Sequence, residues 1–188
     1  MKRILTAIVI LIAIMVPVPR ESSEADMPQA IVIEYELSDA EKYFQMYSSV
    51  QDQINDYEVE LLANVAWGEA HICPTITERA AVMWCCLNRV DQLYGDLEYV
   101  ITSGQFDGYQ LDNPILDDYT ALARDVLSRW MIEKEYGVSS GRVLPAEFIF
   151  FCGDGVHNYF TIGYPEGSIE YCYNNAYTWW LESPYDLI

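Results

Sequence analysis

Positive charge is what this chain has least of: 10 Lys and Arg stand against 29 Asp and Glu, for a formal net charge of −19. Binding a phosphate backbone takes clustered Lys and Arg, so nucleic acid is excluded as a partner. Attraction to an anionic bilayer surface fails for the same reason. Histidine is nearly missing too, His71 and His157 being the two in the chain. There is no C-x-x-C pair and no H-E-x-x-H motif, and adjacent Cys85 and Cys86 lack ligand spacing. No metal and no cofactor is therefore expected. Five cysteines (73, 85, 86, 152 and 172) do not make a disulfide scaffold. Cys85 and Cys86 read as small buried hydrophobes. Cys152 and Cys172 fall in strand-like stretches, and sequence alone leaves a bridge between them open. Internal repeats and low-complexity segments are absent as well.

Long apolar runs are scarce: the one at the start, Ile4 to Val16, follows Lys2 and Arg3 and ends at Pro17 and Pro19. It is shorter than the ~20 residues of a spanning helix. Residues 1–25 therefore read as a signal peptide with Ser23-Glu24-Ala25 at the cleavage site, or as an uncleaved membrane anchor through residues 4–18. Either way the rest is expected outside the cell, in the wall or on the outer face of the cytoplasmic membrane. Residues 26–55 read as a linker or extension, although Tyr43, Tyr47, Val50 and Ile54 form a helical stripe. Residues 56–188 have the size of one domain.

What is present supports a packed core: 52% hydrophobic residues, with 15 Tyr and 5 Trp. Asp56 is placed to cap a helix running to about Ala70. Thr75-x-x-Glu78 has the capping-box pattern for a second helix over about 77–90. The run Ala80–Leu87 is apolar on every side, so that helix should be central. A short helical piece covers Leu97–Ile101, and Asn113-Pro114 should open a longer helix ended by Gly137. Afterwards the period changes. Glu147–Cys152, His157–Ile162 and Glu170–Tyr173 are strand-like. The expected class is α+β, mostly helical with a small antiparallel sheet.

One acid stands out. Leu62, Val65 or Ala66, and Glu69 recur at helical spacing, so Glu69 shares the apolar stripe of its helix. Desolvation and the negative helix end both disfavour its anion. A retained proton is what a general acid near neutral pH requires. Gln105, Phe106 and Tyr109 belong to a Gly-punctuated loop where side chains are readily exposed. The aromatics could line a cleft, and Gln105 could hydrogen-bond an acetamido group.

Four stretches belong together: L-L-A-N-V-A-W-G-E-A (61–70), R-A-A-V-M-W-C-C-L-N-R-V (79–90), V-I-T-S-G-Q-F (100–106) and F-I-F-F (148–151). In that order they resemble the spore-cortex-lytic and cell-wall hydrolase family (SleB-type). The resemblance implies a lysozyme-like fold and peptidoglycan glycan strands as substrate. It also implies cleavage of the MurNAc–GlcNAc linkage by a lytic transglycosylase route. Glu69 matches the family's catalytic acid, and Gly104, Gln105 and Phe106 match its cleft loop. The chain departs from the family in following the acid with His71-Ile72-Cys73-Pro74. His157-Asn158-Tyr159-Phe160 stands where the family's closing segment would be, which adds His157 to the substrate-binding candidates. Two alternatives accompany this reading. One is a wall-binding or assembly protein of the same fold without turnover. The other is a cysteine peptidase on wall peptides, which would need a thiol beside a histidine.

Overall fold

The computed structural model describes residues 37–164 and 183–185. The signal or anchor segment, most of the Ile31–Leu37 alternation, and the strand-like stretch around Cys172 lie outside the described residues.

Helix α1 (Asp39–Gln51) is closed by a full capping box: Ser38 accepts from the Glu41 amide, and Glu41 accepts from the Ser38 amide at 2.8 Å. Its stripe packs on α5 (Asp117–Tyr136), with Val50 fully buried and Gln51 donating to Ser128 Oγ at 2.7 Å. The second half of the expected extension is thus part of the folded body, because burying that stripe outweighs leaving it as a tether.

Helix α2 (Asp56–Ala70) is capped one residue earlier than expected. Asn55 is the N-cap, accepting from the Tyr57 amide, and Asp56 sits in the first turn, where the helix dipole favours it. Helix α3 (Ile76–Arg89) is buried from Ala80 to Arg89 and forms the centre, packed on α2 and α5. Thr75 caps it, but only half of the capping box exists. Glu78's carboxylate turns away to accept from the Asn158 amide at 2.6 Å, and it is fully buried. A π-helical turn (Val90–Tyr94) follows and stops at Gly95, whose φ of 71° suits glycine. Helix α4 (Leu97–Thr102) then leads into the loop before α5.

The start of α5 corrects the expectation from Asn113-Pro114: the helix begins at Asp117, with no side-chain cap. Asn113 is diverted into a tertiary contact described below. Strands β1 (Phe150–Gly153) and β2 (Asn158–Thr161) pair antiparallel, Phe151 opposite Phe160. Asp154 holds the turn by accepting from the amides of Val156 and His157. The fold is α+β, mostly helical with a small antiparallel sheet.

Candidate active site

Glu69 lies in the last turn of α2, half-buried, where the stripe of fully buried Leu62, Val65 and Ala66 reaches the surface. What gives it a defined environment is the approach of a second backbone. A Cβ on Gly68 would fall 1.8 Å from the Gly108 carbonyl oxygen, and one on Gly108 would fall 2.9 Å from Glu69 Cδ. Only two glycines allow the loop to lie this close to the helix. The approach brings the Gly108 N–H to Glu69 Oε1 at 2.7 Å. Two asparagines hold the loop in place. Asn113 donates to the Gly108 carbonyl at 2.7 Å and to Asn64 Oδ1 at 3.0 Å, and Asn64 donates to the Gln110 carbonyl at 2.8 Å. From the other side, Asn158 Nδ2 donates to the Glu69 carbonyl at 2.8 Å, tying β2 to the end of α2.

The Glu69 carboxyl opens on a groove of about 660 Å³. Its walls include Tyr94, the 104–107 segment, β1 and Tyr164. Arg89, 6% exposed, lies in it as the last residue of α3. It donates to the Ile149 carbonyl at 2.6 Å and to Gln105, while its guanidinium lies 4.3 Å from the centre of the Phe106 ring. Tyr94 and Tyr164 expose their rings along the groove, and Phe150 meets Tyr164 edge-on at 5.5 Å. Burial pushes the Glu69 carboxyl above the usual carboxylate range. The Gly108 N–H pulls it back, the Asp107 charge adds to the rise, and Arg89 opposes it. Among the described residues Oε2 has no hydrogen-bond partner. A proton on that oxygen would face the groove's occupant.

Of the residues singled out from the sequence, Glu69, Gly104, Gln105 and Phe106 come together in this groove. Phe106 forms its floor, at 4% exposure, and is no projecting platform. Tyr109 is not part of the wall: its ring packs on the hydrophobic core behind the loop. His157 is also misplaced. Its Nδ1 lies 3.2 Å from the buried Glu78 carboxylate, outside the groove lining, because that acid at the start of α3 binds the 157–158 segment. Sequence reasoning missed Asp107, Tyr94 and Tyr164, and gave no role to Arg89. An arginine ending an otherwise apolar buried helix was the available signal for the last. Tyr94 and Tyr164 carried none.

Thiol chemistry finds no support among the described residues. Cys73 and Cys85 are buried, and burial pushes both thiols up to about 12, opposite to the shift a nucleophile needs. The Cys86 thiol is also pushed well above its ordinary range by burial, and Cys152 is disulfide-bonded. Cys172, with which the sequence left a bridge open, lies outside the described residues. A second, largely apolar pocket of about 400 Å³ lies between α3, α5 and Pro184–Tyr185. Most of its charges are engaged locally: Asp125 accepts from Arg129 and Tyr185 at 2.6 Å each. No group of three or more His, Cys, Asp or Glu side chains gathers for a metal among the described residues. Scans against protein-family models, curated proteins and solved structures return no match to this chain.

Proposed function

We propose that this protein cleaves peptidoglycan glycan strands at the MurNAc–GlcNAc linkage as a lytic transglycosylase, with Glu69 acting first as acid and then as base. One observation carries the reading. A desolvated carboxyl stands on the wall of an open groove with one oxygen held by a backbone N–H and the other uncommitted. The exposed Tyr94 and Tyr164 rings suit stacking against sugar faces, and the resemblance carried by the four stretches named above points to the same substrate. No residue in the groove suggests phosphate or nucleotide binding, since its one cation, Arg89, is spent on backbone and Gln105 oxygens among the described residues.

The chemistry runs in two steps. Glu69 gives its proton to the glycosidic oxygen as the C1–O bond breaks, and the electron pair leaves with that oxygen. The substrate's N-acetyl carbonyl relieves the cation at C1, one of the recognised exceptions to the two-carboxylate scheme. Glu69, now a carboxylate, takes the proton of the C6 hydroxyl, whose oxygen attacks C1 and closes a 1,6-anhydro ring. The Gly108 N–H stabilises the carboxylate between the steps. Positioned proton transfer supplies about 10²–10⁴-fold. Stacking and ring distortion supply the remainder.

The test is mass spectrometry of fragments released from purified peptidoglycan by the wild type and by Glu69→Gln. Anhydro-muramyl ends from the wild type, and none from the variant, are expected. Reducing ends would refute the transglycosylase route, and binding without release would make the protein a wall-binding module.

A further inference from the structure

Asp107 also lines the groove, one residue before the amide that holds Glu69. The Gly108 N–H lies 2.7 Å from Glu69 Oε1, and standard bond lengths then keep the Asp107 carboxyl within roughly 8 Å of that oxygen. The groove thus holds a second carboxylate close to the acid, within reach of a sugar that Glu69 protonates.

Two further facts separate Asp107 from the many acids of this chain. Several other acids are engaged: Asp91 binds Trp130 and Lys134, Asp96 caps α4, Asp125 binds Arg129 and Tyr185, and Glu133 binds Arg142, while acids such as Glu60 and Asp112, unbonded among the described residues, do not line the groove. The Asp107 side chain makes no hydrogen bond or ion pair among the described residues, and it is exposed. At the same time its backbone is fixed. Its carbonyl accepts from Gln110 at 3.1 Å, and the next residue is wedged against Gly68 and Glu69. A charge held on a rigid loop, yet bonded to nothing, is placed for something that enters the groove.

Resting on the glycosidase reading above, we propose that Asp107 is the second charged group of the reaction. Its carboxylate faces the sugar that becomes cationic when Glu69 gives up its proton, and it accepts the N–H of the acetamido group as that group closes on C1. No bond to Asp107 forms or breaks. It compensates positive charge on the ring and nitrogen until the C6 oxygen displaces the acetamide oxygen. Its charge also disfavours the Glu69 anion before substrate arrives, so one residue serves both stages.

The experiment compares the wild type, Asp107→Asn, Asp107→Glu and Glu69→Gln on purified peptidoglycan, with rates across pH and a thermal melt for each. A full charge at roughly 6–8 Å in an effective dielectric of about 20 is worth about 30- to 100-fold in rate. Asp107→Asn should therefore lower kcat about that much, leave KM and the melting temperature near wild type, and move the alkaline limb of the rate profile to lower pH. Asp107→Glu should recover part of the rate and return the limb. Asp107→Asn with wild-type kcat, or with a reduced kcat and an unmoved alkaline limb, overturns the assignment while leaving Glu69 as the acid. A wild type that releases nothing overturns the glycosidase reading, and Asp107's role with it.

Discussion

Gly68→Ala pits two rules against each other, and the structure decides the sign. Gly68 lies inside α2, where helix propensity alone says alanine should stabilise by about 1 kcal/mol. Packing says the reverse. The new Cβ would sit 1.8 Å from the Gly108 carbonyl oxygen, so that loop must withdraw by more than about 1 Å to reach ordinary contact. Overpacking of this kind costs about 1–3 kcal/mol. Withdrawal also breaks the Gly108 hydrogen bond to Glu69, and bonds to charged groups contribute about 1.5–3 kcal/mol. Set against the propensity gain, the net loss is about 1.5–5 kcal/mol, or roughly 3–20 °C in melting temperature for a chain of this size. A displacement of about 1 Å at a reacting group costs about 10²-fold in rate. Gly137→Ala is the control. It has positive φ but nothing within 4 Å, so it should lose about 1–2 kcal/mol to backbone strain and keep its turnover. Melts and peptidoglycan clearance of the three proteins are the assay. If Gly68→Ala melts at or above wild type and still clears the substrate, the loop does not approach α2 as described and the account of Glu69 fails.

Three other substitutions test separate parts of the site. Glu69→Gln should melt higher than wild type at alkaline pH and converge with it in acid. Burial raises the folded-state pKa, so the unfolded chain releases this proton first and the wild type loses stability as pH rises through that window. Paired melts at about pH 4 and pH 8 check this, and a variant less stable at the higher pH contradicts it. Glu78→Ala leaves the Asn158 amide without its acceptor in a fully buried setting and should cost about 1–3 kcal/mol in urea unfolding. Glu78→Gln keeps an acceptor and should cost far less; equal losses would mean that the charge, and not the bond, matters. Arg89→Lys cannot reach the Ile149 and Gln105 oxygens while lying flat on Phe106, so about a 10-fold or larger fall in kcat is expected. Unchanged turnover would remove Arg89 from the site.

Local pattern carried the sequence reading where one face decides the outcome. The run from Ala80 to Leu87 has no polar side to present to water, which forces α3 to the centre whatever surrounds it. Glu69 was legible for the mirrored reason: an acid on an apolar stripe is an exception that periodicity exposes. Asn113-Pro114 shows where such rules stop. Its capping signal is genuine, but the side chain binds Asn64 and Gly108 instead, contacts that come from parts of the chain 49 and 5 residues away. Tyr109 and His157 lie away from the groove for a similar reason. Residue type made them plausible, whereas direction depends on what sits opposite, the core in one case and Glu78 in the other. The pairing of Gly68 with Gly108 leaves no trace in either segment alone, because a missing side chain has no periodicity.

In the proposed mechanism Glu69 both gives and takes a proton, and such a residue cannot have a one-sided environment. Complete burial would hold Glu69 neutral and prevent its return as a base; a close ion pair would hold it charged and prevent its start as an acid. Here the opposing influences come from different parts of the chain. Desolvation at the end of α2 and the Asp107 charge favour the neutral form, while the Gly108 N–H and Arg89 favour the anion. Gly108 and Asp107 are adjacent on one loop, so the movement of that loop changes both signs of influence together. Whatever fixes the loop to α2 therefore sets the proton affinity of the acid, which is why Asn64 and Asn113, though outside the groove lining, belong to the chemistry as much as the walls do.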